Sequence, residues 1–289
     1  MPIEEHIRRI IEYHKREAGD EYYRKGGEDP VYDEITWTNI EPFLPEQGWI
    51  LDAGGGAGVW SIKMAERKKN LVVLLDVTPE LLTTAKRKIK YEMLTGRIEV
   101  LDGDIRAIPL PEMSFDFVLC EADPICICGD PEMAVSELSR VLKLNSYLVA
   151  GVDSTLYRVF KALSQGKSLN YIIEFLQTGR APAVDDALFE SKSFTPSELI
   201  LLLKKYGLET VKIVGKPIGF GPDITDCVFV SALPAEKRQS IFEDTTEKEK
   251  LAKILHKIYE EPYIAGIGSH LHIVAVKRTR SRHAHAYYG

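Results

Sequence analysis

The sequence is poor in cysteine and has no long apolar run. Its 289 residues include only four cysteines, Cys120, Cys126, Cys128 and Cys227, and these do not suggest a disulfide framework. We therefore expect a reducing, cytoplasmic location. No apolar run reaches the length of a membrane-spanning helix. The first residues, MPIEEHIRRIIEYHKRE, are charged throughout and are not typical of a secretory signal.

The chain also lacks an excess of positive charge. Lys and Arg number 37 against 43 Asp and Glu, so the formal net charge is −6. This balance argues against a broad nucleic-acid-binding surface, although a local basic patch is compatible with it. Hydrophobic residues make up 45% of the chain and charged residues 28%, as in globular proteins. The length suits one large domain with insertions, or two small domains.

The chain does contain a glycine-rich loop between an apolar strand and a helix. Residues 49–61 read WILDAGGGAGVWS. Such a loop lets a ligand approach the backbone, and the helix start behind it offers unpaired N–H groups to an anion. A dinucleotide fingerprint would need glycine or alanine where Val59 stands. The pattern present is D-x-G-x-G-x-G from Asp52 to Gly58, and an ordinary glycine turn is the remaining alternative.

Acidic residues follow the next predicted strands. A continuous apolar run over residues 71–75 predicts a buried parallel strand that ends at Asp76. A carboxylate there can accept both hydroxyls of an adenosine ribose, and the alternative is a simple cap of the strand end. After a third strand at residues 97–101, Asp104 can accept from the exocyclic amine of adenine, and the N–H of Ile105 can reach a ring nitrogen. Asp102 is the better turn former.

Strands and helices alternate five times between residues 49 and 153. Helices are predicted over residues 34–44 and 59–67, behind Thr78 and behind Asp130. This alternation predicts an α/β fold with a doubly wound parallel sheet. Ligands of such sheets bind at the carboxyl ends of the strands. The acidic residues fall at those ends: Asp52, Asp76, Asp104 and Glu121.

Four segments resemble successive motifs of one family: ILDAGGGAG, LLDVTPELLTTAKRK, DGDIRAIPLPEMSFDFVLCEA and DPEMAVSELSRVLK. They look like motifs of the class I S-adenosylmethionine (SAM)-dependent methyltransferases, nearest to the UbiE-like small-molecule group. The resemblance covers about residues 30–153 and extends more loosely to FTPSELILLLKKYGLETVKIVG and SHLHIVAVKR. Two places depart from the family. Residues 143–146, KLNS, replace a Lys-Pro-Gly-Gly turn, where Asn145 can adopt the left-handed conformation. The segment EADPICICGDP replaces a short His-containing loop.

The resemblance implies a seven-stranded Rossmann-like sheet of order 3-2-1-4-5-7-6 with an antiparallel last strand. Its core would be residues 46–153, completed by residues 194–216 and 269–278. It also implies SAM as the cofactor, bound in the cleft at the glycine loop, and S-adenosylhomocysteine as the product. The cofactor-binding residues that it implies are Asp52, Ala53, Gly54, Gly55, Gly56, Gly58, Asp76, Val77, Asp104, Ile105 and Glu121.

Segments outside this core are expected to form the acceptor side. They are an N-terminal helical lid (residues 1–45), a helical cap (154–193) and a second insertion (217–268). The basic, flexible tail (279–289) is expected to be a solvated end, and weak metal or anion contact is the alternative. Thr195 and Glu198 predict a capping box. A helix is expected near 246–260, with Leu251, Ile254, Leu255 and Ile258 on one face. The candidate acceptor contacts are Tyr22, Tyr23, Tyr32 and Cys126, and for the tyrosines a surface loop is the alternative.

Methyl transfer from SAM needs alignment of the acceptor and exclusion of water, and no catalytic triad appears in the sequence. A general base is required only if the acceptor holds a proton, and Glu121 and Asp123 are the candidates. Glu121 is slightly better suited to positioning the cofactor beside its methionine moiety. Asp123 precedes Pro124 and can simply shape a turn.

No metal site is predicted. Cys126 and Cys128 form a C-x-C pair that could bind a soft metal, but there is no second cysteine pair to complete a zinc site. His270 and His272 alternate on the predicted last strand and share one face. Such a pair of strand histidines is more often structural.

Three functions fit these observations. The first is a SAM-dependent methyltransferase that acts on a small-molecule acceptor through an oxygen, nitrogen or carbon nucleophile. The second is a nicotinamide-dependent oxidoreductase, which Val59 disfavours. The third is a non-catalytic SAM-binding protein, which the cofactor motifs alone do not separate from the first. RNA is disfavoured as a partner by the acidic charge balance, and a homodimer is an open alternative to a monomer.

Overall fold

The computed structural model describes residues 2–17, 30–67, 69–182, 189–216, 233–259, 261 and 264–278. The strands are β1 (Trp49–Ala53), β2 (Leu71–Asp76), β3 (Ile98–Asp102), β4 (Phe115–Cys120), β5 (Leu142–Asp153), β6 (Arg180–Pro182), β7 (Glu190–Lys192), β8 (Leu208–Lys216) and β9 (His270–Lys277). Seven of them form one sheet of order β3-β2-β1-β4-β5-β9-β8, while β6 and β7 form a small separate pair. Strands β1 to β5 are parallel, and β9 runs antiparallel to both β5 and β8. The predicted sheet order and the antiparallel last strand are confirmed.

The described residues form eleven α-helices. They are α1 (Ile3–Glu17), α2 (Pro30–Ile40), α3 (Val59–Arg67), α4 (Pro79–Tyr91), α5 (Pro124–Ile127), α6 (Pro131–Val141), α7 (Thr155–Ser164), α8 (Leu169–Thr178), α9 (Pro196–Lys205), α10 (Ala235–Glu243) and α11 (Thr245–Tyr259). Two short 3-10 helices lie at Glu41–Phe43 and Ala265–Ile267. None of the helices in the described ranges is both long and apolar enough to cross a bilayer.

Helices cover both faces of the large sheet, so its central strands are buried on both sides. On one face, α2, α3 and α4 pack Trp37, Met64 and Leu82 against β1 and β2. On the other face, α6 and α9 pack Leu138 and Leu203 against β4, β5 and β9. The helices therefore cover the faces of the sheet, and the carboxyl ends of the parallel strands are the place where ligands of such sheets bind.

Helix α2 lies four residues earlier than the predicted span of 34–44. It begins at Pro30 and ends at Ile40, where a 3-10 turn over Glu41–Phe43 follows. The sequence predicts that the helix ends at Pro45, but Pro42 ends it earlier. The residue before a proline is disfavoured in the α conformation, so the helix ends before Glu41.

The chain after β4 is more structured than the predicted loop. Ala122 and Asp123 both have left-handed backbones, with φ of 63° and 68°. The single turn of α5 follows at once. At residues 143–146 the expected left-handed residue is confirmed, since Asn145 has φ of 60°. Strand β5 nevertheless begins at Leu142, before this turn, because the chain continues to pair with β4 on both sides of it.

The inserted helices expose much of the apolar pattern that predicted them. Helix α7 buries Tyr157 and Ala162, while an exposed stripe is formed by Leu156, Phe160 and Leu163. The helix predicted near 246–260 is α11, but its face was assigned incorrectly in part. Leu255 is 1% exposed, whereas Ile254 is 57% exposed. Tyr22, Tyr23, Cys227 and the tail 279–289 lie outside the described residues.

Candidate functional site

A single cleft collects most of the predicted cofactor residues at the carboxyl ends of β1 to β4. Its wall also includes α1 and α2, through Ile7, Ile10, His14 and Asp33. Nine predicted residues line it: Asp52, Gly54, Gly55, Gly56, Asp76, Val77, Asp104, Ile105 and Glu121. Ala53 and Gly58 do not. Gly58 instead lets α3 approach β2, because a Cβ there would lie 3.1 Å from Leu74 Cδ1.

The glycine loop is held close to the chain that follows β4. Gly54 has φ of +77°, and a Cβ at this position would lie 2.4 Å from Pro124 Cγ. Its N–H donates to the carbonyl oxygen of Leu75 at 2.7 Å. Only glycine allows this approach, so the backbone of the loop lies close to Pro124 between β1 and the start of α3.

Asp76 orders the loop and also faces the cleft. Its two carboxylate oxygens accept from the N–H of Gly56 at 3.0 Å and from the N–H of Thr78 at 2.8 Å. Burial raises the pKa of Asp76, and the two backbone donors oppose that shift. Each oxygen keeps a further lone pair for a ligand hydroxyl.

Asp104 is tied to its own loop. Its carboxylate accepts from Arg106, with the guanidinium Nη2 at 2.5 Å and the backbone N–H at 2.8 Å. Ile105 is buried and contributes apolar surface to the cleft wall. An adenine amine would therefore meet a carboxylate whose position Arg106 already fixes.

Asp52 lies beneath the glycine loop and is 1% exposed. Ser61 at the start of α3 donates to its carboxylate at 2.6 Å. Burial raises the pKa of Asp52 to about 7; the charges of Asp76 and Glu121 act in the same direction, and Ser61 opposes them. Asp52 therefore changes charge near neutral pH inside the cleft.

Glu121 lies in a fully buried ion pair at the end of β4. Its carboxylate accepts from Lys216, the last residue of β8, and Tyr32 Oη donates to it at 3.3 Å. The Lys216 ammonium also donates to Thr36 Oγ1 at 3.2 Å and lies 4.1 Å from the centre of the Tyr32 ring. Burial opposes its ionisation, but Lys216 and His272 hold the pKa of Glu121 well below its usual range.

His272 and Gly151 complete the surroundings of Glu121. The His272 Nε2 lies 3.1 Å from Glu121 Oε2, but the two atoms are not aligned as a hydrogen bond. Burial lowers the pKa of His272, which Glu121 only partly offsets. A Cβ on Gly151 of β5 would lie 2.5 Å from the same oxygen, so glycine leaves the space that the carboxylate fills.

A second polar cluster lies beside the first and joins Asp123, Asp153 and His270. The His270 Nε2 donates to Asp123 Oδ2 at 2.7 Å and lies 3.6 Å from Asp153 Oδ1. Although burial opposes its charging, the two carboxylates raise the pKa of His270. Arg158 Nη1 and Ser191 Oγ donate to the other oxygen of Asp153 at 3.1 and 3.2 Å.

Cys126 supports this second cluster, whereas Cys128 lines the cleft. The Cys126 Sγ accepts from the backbone N–H of Asp153 at 3.2 Å and lies 3.9 Å from Asp123 Oδ1. Burial raises the pKa of the Cys126 thiol well above its usual value, so it remains protonated. Acceptor contact by Cys126 stays a prediction.

Several residues of the site did not follow from the sequence argument. Lys216, Asp153 and Arg158 were not singled out, and the two histidines were given a structural role. The alternation of His270 and His272 was the available signal, since it places both rings on one face of β9. Their partners could not be read from it, because Asp123 is 147 positions away from His270 in the chain.

The family profile described as "Methyltransferase domain" matches residues 50–145. Among curated relatives, the chain is 33% identical to a demethylmenaquinone methyltransferase of Deinococcus radiodurans over 35% of its own length and 41% of the relative's. It is 24% identical to a tRNA 5-carboxymethoxyuridine methyltransferase of Escherichia coli, over 84% of this chain and 87% of the relative.

A solved SAM-dependent methyltransferase from Methanosarcina mazei shares the fold. The TM-score is 0.57 at 20% identity, over 83% of this chain and 97% of the other. Residues 50–145 therefore carry a methyltransferase domain, and the sheet and cleft have the arrangement of the class I SAM-dependent methyltransferases, whose cofactor is SAM.

The donor set of the cleft fits this cofactor. Asp76 offers a buried carboxylate to ribose hydroxyls, and Ile105 offers apolar surface to a flat base. Glu121 supplies negative charge, which suits a ligand that carries a sulfonium and an ammonium group. The residues present thus match each part of the ligand with a group of complementary chemistry.

Proposed function

We propose that this protein transfers the methyl group of SAM to a small-molecule nucleophile and releases S-adenosylhomocysteine. The observation that carries the proposal is the convergence of Asp52, the glycine loop, Asp76, Asp104 and Glu121 on one cleft. SAM supplies an electrophilic methyl group on a sulfonium, so the protein needs to bind, orient and exclude water.

Each residue then has a defined task in this proposal. The amide groups of the glycine loop and the start of α3 hold the methionine carboxylate, while Asp76 holds the ribose. Asp104 and the N–H of Ile105 recognise the adenine. Glu121, kept ionised by Lys216, positions the cationic end of the ligand.

The acidic Asp123 remains a candidate base for an acceptor that carries a proton. It lies between Ala122 and Pro124, which both line the cleft. His270 Nε2 donates to its Oδ2 and so orients the carboxylate. Of the three tyrosines proposed as acceptor contacts, Tyr32 lies in the described residues, and its hydroxyl donates to Glu121.

A small molecule is favoured as acceptor by the net charge of −6. A tRNA acceptor is the second candidate. The E. coli tRNA methyltransferase aligns over most of the chain, which supports keeping it. Incubation of the protein with methyl-tritiated SAM and cell extract separates the two. Label that appears in the tRNA fraction and is released by RNase would favour a tRNA acceptor, whereas label in the small-molecule fraction would favour a small-molecule acceptor.

Calorimetric titration with SAM, S-adenosylhomocysteine and NADH tests the cofactor site. We expect both adenosyl ligands to bind and NADH not to bind. Asp76→Ala should weaken SAM binding roughly tenfold to a hundredfold, the range for loss of hydrogen bonds to a charged group. Asp76→Asn should have an intermediate effect, because its single amide oxygen can accept from Gly56 or from Thr78 but not from both.

Asp102→Ala is the matched control, because Asp102 ends the neighbouring strand β3 and is exposed. Its SAM affinity should equal that of the wild type. Unchanged affinity in Asp76→Ala would contradict the ribose assignment. Binding of NADH without the adenosyl ligands would overturn the proposed function.

A further inference from the structure

Three metal-ligating side chains converge just outside the cofactor cleft. Asp123 comes from the turn after β4, Asp153 from the end of β5 and His270 from the start of β9. One donor atom from each lies within 4.8 Å of the other two. We propose that Asp123, Asp153 and His270 form a binding site for a divalent first-row transition-metal ion.

The spacing of the donors is close to that of a coordination shell. Metal–ligand bonds of about 2.0–2.2 Å place neighbouring donor atoms about 3.0–3.5 Å apart. The two distances from His270 Nε2, 2.7 Å to Asp123 and 3.6 Å to Asp153, bracket that range. Shifts of a few tenths of an ångström therefore suffice to admit an ion.

The neighbouring residues orient one carboxylate toward the site. Arg158 and Ser191 both donate to Asp153 Oδ2. Asp153 Oδ1 is the oxygen that faces His270. The backbone N–H of Asp153 is in turn bound to Cys126 Sγ. Outer hydrogen bonds of this kind fix the geometry of ligating carboxylates in metal sites.

The polar groups of His270 are a second indication. The residue is 6% exposed, and its Nε2 points at both carboxylates. A cation bound between the ring nitrogen and the two carboxylates would compensate their partly buried negative charge.

The donor chemistry selects the class of ion. Two carboxylate oxygens and one imidazole nitrogen suit Mn²⁺, Fe²⁺ or Zn²⁺ better than a soft thiophilic metal. Three protein ligands leave coordination positions open, as in sites that bind a substrate atom. Ala122 and Pro124, on either side of Asp123, line the cofactor cleft, so the proposed metal site lies beside that cleft.

Metal titration of the purified full-length chain tests this inference. After dialysis against EDTA and then buffer, calorimetry with Mn²⁺ and with Zn²⁺ should give one saturable site. Asp123→Asn, Asp153→Asn and His270→Gln should each weaken binding at least about tenfold, since loss of outer-shell partners alone costs that much.

Asp116→Asn is the matched control. Asp116 is a partly exposed β4 carboxylate at the opposite end of the sheet, paired with Lys143 at 2.7 Å. Its variant should bind both ions as the wild type does. No saturable binding to the wild type, or equal binding by the three ligand variants, would overturn the site.

A measurement on the wild type guards against variants that do not fold. In a sample labelled at histidine, Mn²⁺ should broaden the imidazole signal of His270 before that of His6, which bonds the Ile127 carbonyl on the other side of the cleft wall. Broadening of all histidines together would contradict the site. Binding of S-adenosylhomocysteine without metal is measured separately, so failure of the metal site leaves the methyltransferase proposal standing.

Discussion

The side chains of Glu121 and Lys216 are both buried, and the charge of each compensates the charge of the other. Their side chains are 1% and 0% exposed, and the pair is extended by Tyr32 and Thr36. Removing one charge from such a pair leaves the other buried without compensation, whereas removing both avoids that cost. The stability of the fold and the charge of the cleft thus depend on the same contact.

Lys216→Met should lower the free energy of unfolding by about 3–5 kcal/mol, the range for breaking a buried ion pair. Glu121→Gln should also destabilise, because the ammonium then lacks its counter-charge. The double variant should lose clearly less than the sum of the two single losses. Urea unfolding of all four proteins measures this coupling. Additive losses would show that the two residues act independently.

Asp52 predicts a pH dependence of stability with a definite sign. Its pKa is raised to about 7 in the folded protein, mainly by burial. The pKa of an aspartate in the unfolded chain is about 3.9. The folded state therefore binds the proton more tightly than the unfolded state. The resulting contribution of Asp52 to the free energy of unfolding is fully present below about pH 4 and is lost as pH rises through about 7.

Asp52→Asn keeps an acceptor for Ser61 but has no charge to gain. Compared with this variant, the wild type should lose stability between about pH 4 and pH 7, as measured by thermal unfolding. Ser61, Asp76 and Glu121 face the carboxyl group and are unchanged in both proteins. Parallel pH profiles for the two proteins would show that another group controls the titration.

Strand β9 fastens the sheet to helix α6 through a buried lysine. Lys277 is 2% exposed, and its ammonium donates to the carbonyl oxygens of Ser139 and Leu142 at 2.6 and 2.7 Å. These carbonyls lie in the last turn of α6 and just after it, where the helix has no partners of its own. A positive charge at a helix C-terminus also interacts favourably with the helix dipole.

Lys277→Met should destabilise the protein by about 1.5–3 kcal/mol, since two charge-assisted bonds to buried carbonyls are lost. Lys205→Met is the matched control, because the Lys205–Glu132 pair at 2.6 Å lies in solvent, with side chains 55% and 59% exposed. Exposed pairs contribute at most about 1 kcal/mol. Chemical denaturation compares the two, and equal losses would argue against the anchoring role of Lys277.

Features set by neighbouring residues were predictable from the sequence. Helix α3 has the predicted bounds of 59–67, Asp130 caps α6 through Met133, and Thr195 with Glu198 forms the expected capping box. Each depends on contacts within a few positions of the chain. The order of the sheet followed from the family resemblance, since spacing alone does not order strands.

Contacts between distant segments were not predictable in the same way. Glu121 and Lys216 are separated by 95 positions, and nothing in the local sequence of β8 marks its last lysine as buried. The metal ligands proposed here come from three segments whose meeting depends on where β9 enters the sheet. The exposed residues of α7 show the converse, because helical spacing reveals an apolar face but does not tell what covers it.

The position of β9 in the sheet has a consequence for how the molecule is made. This strand lies between β5 and β8, although it follows both in the chain. The matched methyltransferase domain, residues 50–145, leaves the ribosome long before Lys216, His270 and His272 do. Until they emerge, the edge of β5 stays open, and the carboxylate of Glu121 is without the ammonium that faces it in the folded protein. The central sheet and the charge balance at Glu121 are therefore completed only after β8 and β9 have been synthesised.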